Sequence, residues 1–195
     1  MLVTKDVAEI ASLLKNRQGC VIAYPTETFY GLGARISDHE AVLRIIRLKG
    51  RDAAKGMIIL ASDIKTVSEI AEIDEQAIEL LNRFWPGPLS AVMKARESID
   101  PLLAPQGRVA VRISPNDMAC ALIREVGPIT STSANISGRP PAQTPGDITS
   151  QELEIDGILD GGKTHGGKPS TLIDLTDWPP VCLRDGAIPF ETILS

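Results

Sequence analysis

Cys20-Val21-Ile22-Ala23-Tyr24-Pro25-Thr26-Glu27-Thr28-Phe29-Tyr30-Gly31-Leu32-Gly33 joins a strand to a set of groups that no core needs. The run Cys20-Val21-Ile22-Ala23, after Gly19, is apolar and β-branched, the pattern of a buried strand. Pro25 removes a backbone donor and ends the ladder, which frees the following residues to leave the sheet. Thr26, Glu27, Thr28 and Tyr30 then present hydroxyls and a carboxylate within a few positions. Gly31 and Gly33 are expected to let the backbone approach a ligand closely. A bare Pro-Thr-x-Thr is more often a Thr-rich turn after a strand; the length of this pattern favours a site.

Outward from this stretch, helices and strands alternate. Thr4 is placed to cap a helix whose apolar residues Val7, Ile10, Leu13 and Leu14 recur at helical spacing, with Gly19 as its stop. Ser37-Asp38-His39-Glu40 has the form of a capping box, and Val42, Ile45, Ile46 and Leu48 supply the buried face of a helix that ends near Lys49. Met57-Ile58-Ile59-Leu60-Ala61 is a second buried strand. Ser62 or Asp63 caps a helix through Ile64, Val67 and Ile70, and a further helix covers 74–84. Trp85-Pro86-Gly87-Pro88 is a loop, because two prolines and a glycine leave no regular ladder, and Leu89-Ser90-Ala91-Val92-Met93 resumes as strand. Arg108-Val109-Ala110-Val111-Arg112-Ile113 alternates as a strand with Arg108 and Arg112 on one face. Ser114-Pro115 reads as a cap with proline at the first helical position, opening a helix to about Val126. Ile129-Thr130-Ser131-Thr132-Ser133 begins as a strand and runs into the hydroxyl-rich loop 134–141, which suits phosphate or sugar. Strands are expected again over 170–175 and 181–184.

The 195 residues, 43% of them hydrophobic, are near the usual size of one domain with ample core, so a single domain over 1–195 is expected. A net charge of -5 argues against a surface built as a whole for nucleic acid, whose affinity comes mainly from neutralising phosphates; a local basic patch stays open. Cys20, Cys120 and Cys182 are far apart and odd in number, which implies neither a disulfide framework nor a metal knuckle and fits a reducing cytosol. No apolar run approaches the ~18 residues of a membrane span, and Lys5, Asp6 and Glu9 stand where a secretory signal is apolar. A cytoplasmic location is expected. The segment 161–167 lacks the Lys-Ser/Thr ending of a P-loop, and His39 and His165 have no partner at ligand spacing, so neither a His-based metal site nor a Ser-His-Asp triad is expected.

Arg35, Arg44, Arg47, Lys49, Arg51 and Lys55 face only Asp38, Glu40 and Asp52 in their segment, whereas 63–79 holds six acids against Lys65. Arg44 and Arg47 read as solvated helix charges. Gly50 and Gly56 interrupt the helix, so Lys49, Arg51 and Lys55 fall in a loop between an amphipathic helix and a buried strand, where they either wrap an anion or are simply solvated. A planar arginine fork beside a mobile lysine charge suits a polyphosphate.

Tyr24 to Gly33, Lys49-Gly50-Arg51, Lys55-Gly56, Trp85-Pro86-Gly87-Pro88, Val109-Ala110-Val111-Arg112, Ser131-Thr132-Ser133-Ala134-Asn135 with Ser137-Gly138, Ser170-Thr171, and Leu183-Arg184 with Gly186 occur together in one order and spacing. In this the chain resembles, over nearly its whole length, the YrdC-like family of threonylcarbamoyl-AMP synthases. The resemblance implies an α/β (α+β) fold with a twisted mixed sheet, flanking helices and a basic concave cavity. It implies a nucleotidyltransferase that joins L-threonine, bicarbonate or carbon dioxide, and ATP into threonylcarbamoyl-AMP and pyrophosphate, for threonylcarbamoyladenosine modification of tRNA. Thr28, Arg112 and Ser170 are then placed near threonine, with Thr26 and Tyr30 on the same wall. Lys49, Arg51, Lys55, Ser131, Ser133, Asn135 and Arg184 are placed around ATP, with Lys49 and Arg51 offsetting charge on phosphate and magnesium as the nucleotide's partner. The implied macromolecular partners are the machinery that transfers the product to tRNA and, weakly, tRNA itself.

The chain also departs from the family's longer members. They carry a proline after the Lys-x-Arg and an Asn-Pro in place of Lys55-Gly56, some have a histidine in place of Leu60, and a small hydroxyl residue that touches ATP stands in place of Arg108. Lys55-Gly56 and the apolar Leu60 look like the short bacterial type, and the C-terminal domain of the longer members is expected to be absent. Two other readings stay open. One is an RNA-binding or ribosome-associated module using the same cavity, which the acidic charge weakens; the other is a non-catalytic paralogue, against which Lys49-x-Arg51 with Ser133-Ala134-Asn135 weighs.

Overall fold

The computed structural model describes residues 1–50 and 56–195. Its strands are β1 (Leu2–Thr4), β2 (Ile22–Tyr24), β3 (Gly31–Gly33), β4 (Ile58–Ala61), β5 (Leu89–Lys94), β6 (Arg108–Ile113), β7 (Ile129–Ser133), β8 (Gly157–Leu159), β9 (Thr171–Asp174) and β10 (Val181–Arg184). Its helices are α1 (Val7–Asn16), α2 (His39–Lys49), α3 (Ile64–Ile70), α4 (Glu75–Asn82), α5 (Asp117–Val126), α6 (Pro145–Ser150) and α7 (Phe190–Leu194). Among the described residues the strands form one mixed sheet in the order β1-β8-β2-β3-β7-β4-β6-β5-β9-β10. β8 runs parallel to both β1 and β2, β4 to β6, and β5 to β9; the other neighbours are antiparallel. This is the mixed sheet with flanking helices expected from the sequence.

The period of two along each strand sorts the side chains into two cores. Ile59, Ala61, Val109, Val111, Ala91, Met93 and Ile173 join Val42, Ile45, Val67, Ile70 and Leu81 of α2, α3 and α4 in the larger core. Ile22, Tyr24, Leu60 and Ile129 take the opposite side and join Ile10 and Leu14 of α1 and Leu122 and Ile123 of α5 in the smaller one. α1 and α5 therefore cover only part of the second face. The remainder is concave and is the site described below.

At α1, α2 and α5 a carboxylate or an amide, not the hydroxyl read from the sequence, makes the cap, whereas Asp63 caps α3 and the Thr144 hydroxyl caps α6. Asp6 caps α1 through Ala8 N at 2.8 Å, while Thr4 Oγ1 only accepts from Asp6 N. Asp38 caps α2 through Ala41 N, so Ser37 is not the capping residue. Asn116 caps α5 through Ala119 N at 3.0 Å, because the Ser114 hydroxyl is engaged elsewhere. An oxygen that reaches the first-turn N–H groups takes the cap, and a carboxylate adds favourable charge at that end of the helix. α2 stops at Gly50, whose φ of 51° is left-handed.

Two further readings are corrected. Arg44 is not a solvated helix charge: its Nη1 pairs with Asp156 Oδ2 and its Nη2 donates to Glu154 O at 2.6 Å. Asp156 is buried, sits 3.0 Å from Arg17 Nη1, and accepts from Val21 N at 2.8 Å. Gly31-Leu32-Gly33 is a strand paired with β2, and a Cβ on Gly33 would lie 2.7 Å from the Tyr24 ring. That glycine makes room for a neighbouring aromatic, not for a ligand. No helix among the described residues is long and apolar enough to cross a membrane.

Candidate functional site

The uncovered part of the second face encloses a cavity of about 850 Å³. Asp174, Val92, Ala110, Ile58 and Ser131 are successive register partners across β9, β5, β6, β4 and β7, so one row of the sheet forms the floor. The same alternation turns Arg108 and Arg112 toward the cavity on either side of Ala110, as their spacing predicts.

Thr26, Thr28, Phe29 and Tyr30, on the connection between β2 and β3, form one wall. Thr26 Oγ1 donates to Phe29 O at 2.7 Å and accepts from Thr28 N at 3.3 Å, with Thr28 Oγ1 at 3.2 Å. One hydroxyl thus closes this turn, as threonines do where the chain leaves regular structure. Tyr30 Oη donates to Gly162 O at 2.8 Å and accepts from Gly161 N at 3.0 Å. Burial pushes its phenol up to about 12, so it stays a protonated donor near neutral pH.

Arg112 is 4% exposed and donates from Nη1 to Glu27 Oε1 at 2.8 Å. Glu27 Oε2 in turn accepts from Ser114 Oγ at 2.6 Å. Arg112 Nε is buried with no hydrogen-bond partner, an arrangement seldom tolerated without a reason.

At the β7 side Ser131, Thr132, Ser133, Ser137 and Lys49 line the cavity. Lys49 is 7% exposed, and its Nζ donates to Ser133 O at 2.9 Å, Asn135 O at 2.8 Å and Asn135 Oδ1 at 2.6 Å. Asn135 Nδ2 donates onward to Arg139 O at 2.6 Å, and Ser137 Oγ donates to Lys49 O. The β9 and β10 side brings Ser170 and Arg184 together: Arg184 Nη2 donates to Ser170 O at 2.8 Å, and Ser170 Oγ lies 2.9 Å from Ser90 Oγ. Arg108 Nη1 donates to Asp174 Oδ2 at 3.2 Å at the rim.

Of the residues named from the sequence, Thr26, Thr28, Tyr30, Arg112, Ser170, Lys49, Ser131, Ser133 and Arg184 line this cavity. Asn135 stands behind Lys49 and shapes the loop. Arg51 and Lys55 lie outside the described residues. The sequence reading missed what Glu27 and Ser114 do. The one signal available was a carboxylate set between two threonines. Among the described residues Asp174 is the only carboxylate on the cavity wall, and no group of three or more His, Cys, Asp or Glu side chains could hold a metal ion.

The family model described as Sua5/YciO/YrdC, Telomere recombination, matches residues 15–186. Threonylcarbamoyl-AMP synthase of Pyrococcus abyssi is 43% identical over 182 residues, covering 91% of this chain and 53% of the relative. Threonylcarbamoyl-AMP synthase of Bacillus subtilis is 38% identical over 194 residues, covering 96% of this chain and 55% of the relative. The chain thus spans about half the length of these two curated relatives. The crystal structure of P. abyssi Sua5 in complex with L-threonine superposes with a TM-score of 0.91 at 38% identity, covering 98% of this chain and 59% of that one. By the match of its sequence, its fold and the motifs gathered at this cavity, the chain belongs to the Sua5/YciO/YrdC family.

Proposed function

We propose that this chain is an L-threonylcarbamoyladenylate synthase, converting L-threonine, bicarbonate or carbon dioxide, and ATP into threonylcarbamoyl-AMP and pyrophosphate. The observation that carries the reading is Arg112: a guanidinium on the wall of the cavity, held from behind at Nη1 by Glu27, on the same lining as the Thr26 and Thr28 hydroxyls, in a cavity large enough for an amino acid and a nucleotide. A carboxylate is an acceptor that matches such a guanidinium, and hydroxyls on the same lining suit a small polar amino acid. The relationship to a Sua5 protein solved with L-threonine supports the assignment.

In this reading the threonine amine takes up carbon dioxide to give a carbamate and a proton. A carbamate oxygen then attacks the α-phosphorus of ATP, the bond from that phosphorus to the β-phosphate bridge breaks, and pyrophosphate leaves. The chemistry asks for placement and charge more than for covalent help from side chains. Thr26, Thr28, Tyr30, Arg112 and Ser170 hold threonine. Ser131, Ser133 and Arg184 face the nucleotide, with Lys49, Arg51 and Lys55 supplying positive charge and Asn135 fixing Lys49. With Asp174 the only lining carboxylate among the described residues and already paired to Arg108, magnesium fits as the nucleotide's own counter-ion, held chiefly by phosphate oxygens. The product, a mixed anhydride, suits immediate use by a cytoplasmic enzyme that acylates tRNA. The test is pyrophosphate release from ATP by the purified chain. Dependence on both threonine and bicarbonate supports the reading, and release indifferent to either overturns it.

A further inference from the structure

We propose that Glu27 is a positioning residue for amino-acid binding, holding Arg112 so that the rest of its guanidinium is presented to a substrate carboxylate. The inference rests on the threonine-binding reading above. Glu27 does not line the cavity; it lies behind Arg112, with a side chain 12% exposed against 5% for the arginine. Both carboxylate oxygens are engaged, Oε1 by Arg112 Nη1 at 2.8 Å and Oε2 by Ser114 Oγ at 2.6 Å. Ser114 Oγ also accepts from Asn116 N, at the start of α5, so Glu27 is anchored to a rigid element from the far side.

A buried arginine keeps its charge, so it needs a counter-charge to offset the loss of water and to hold it in place. Glu27 supplies it through one terminal nitrogen, which fixes the plane of the fork and leaves Nε unanswered. Because Glu27 follows Thr26 and precedes Thr28, one anchor also sets the two hydroxyls on the same wall. A carboxylate engaged at both oxygens and removed from the cavity is poorly placed to take the amine's proton. Its effect reaches the substrate through Arg112.

The experiment measures the KM of threonine and of ATP, and kcat, for the full chain carrying Glu27→Gln, Glu27→Asp and Ser114→Ala. Retention of the thermal shift given by ATP shows that each variant is folded. Glu27→Gln should raise the threonine KM by about 10-fold or more, the effect of weakening a charged hydrogen bond, with ATP KM and kcat within about 3-fold of wild type. Glu27→Asp keeps the charge and should recover part of the loss. Ser114→Ala removes the anchor, lies outside the cavity wall, and should raise the threonine KM by about 3-fold, which keeps the inference testable where a Glu27 variant fails to fold. A threonine KM unchanged in Glu27→Gln and Ser114→Ala overturns the inference, as does a loss confined to kcat, which would place Glu27 among the groups that act on the reacting atoms. Where the wild type releases no threonine-dependent pyrophosphate, the functional reading fails on its own. Calorimetric titration with L-threonine then decides for Glu27: wild-type binding weakened in Glu27→Gln upholds the positioning role, and absence of wild-type binding removes it.

Discussion

Lys49 Nζ donates to Asn135 Oδ1 across 2.6 Å, tying the last residue of α2 to the turn that follows β7. The same ammonium donates to the carbonyls of Ser133 and Asn135, so its charge stands at the cavity while its N–H groups hold the loop. Lys49→Met leaves these buried acceptors without their donor, at about 1–3 kcal/mol for each that finds no water. We expect the ligand-free protein to melt on the order of 5–10 °C lower. Lys49→Arg should rescue little, because a planar fork does not meet three convergent oxygens. Differential scanning calorimetry without nucleotide checks this. An unchanged melting temperature would show that the loop holds its shape without the lysine.

Asp156, off the cavity wall, is a second buried centre of charge, 4% exposed in its side chain and contacted by Arg17, Arg44 and Val21 N. Asp156→Ala leaves Val21 N buried without an acceptor and strips two arginines of their partner. A loss of about 2–4 kcal/mol is expected, with Asp156→Asn costing about half because the amide still accepts from Val21. None of these residues lines the cavity, so turnover per folded molecule should be unchanged at low temperature. Urea denaturation alongside the pyrophosphate assay separates the two effects.

Two carboxylates at helix starts lose stabilising hydrogen bonds as the pH falls. Hydrogen bonds from Thr66 and Ser62 hold Asp63, the cap of α3, below its ordinary 3.8. Asp147, at the start of α6, is held down by the N–H groups of Gln143 and Thr144. A depressed carboxylate stabilises the fold fully above its unfolded pKa and loses that contribution as pH falls through its folded value. Asp63→Ala should therefore be less stable than wild type by about 1 kcal/mol at pH 6, the worth of a helix cap. The gap should close below pH ~3.8 as the native carboxyl takes up its proton. Thermal melts from pH 3 to 7 test this, and a gap constant across the range would assign the loss to packing.

The order of elements was legible because long apolar periodicities and glycine stops are local signals, as in α2 with its Gly50. What escaped was decided between segments distant in sequence. Ser114-Pro115 looks like a helix start, but Glu27, 87 positions away, claims the serine hydroxyl and Asn116 takes the cap. Gly31 and Gly33 both read as close approaches to a ligand, yet only Gly31 lines the cavity, and the space Gly33 frees is filled by Tyr24 from the neighbouring strand. Arg44 looks solvated until Asp156, 112 positions on, is folded against it. At the site, residue types and spacing pointed to the cavity walls. They could not show that Asn135 acts through Lys49, or that Glu27 stands behind Arg112.

Gly186 shows the same dependence on distant contacts and yields the sharpest test of how the β9 and β10 side is held. A Cβ there would lie 2.4 Å from Pro169 O, 2.5 Å from Thr171 N and 2.6 Å from the Ser170 carbonyl carbon, all backbone atoms that cannot swing aside. Those atoms are fixed in turn, since Thr171 N donates to Pro88 O at 2.9 Å and Ala187 N to Pro169 O at 2.9 Å. Ser170 O is also the acceptor that orients Arg184. Gly186→Ala must push Pro169–Thr171 away from the turn after β10, separating Ser170 from Arg184. The overpacking should cost about 1–3 kcal/mol. A displacement near 1 Å at positioning groups should cost roughly 100-fold in kcat/KM. Gly127→Ala is the control: its φ of 82° suits glycine, a Cβ there meets nothing within 4 Å, and it lies off the cavity wall. It should lose about 1–3 kcal/mol through backbone strain and keep kcat/KM per folded molecule. Equal retention of kcat/KM in both variants would show that the close approach of Gly186 serves stability and does not hold Ser170 and Arg184 in register.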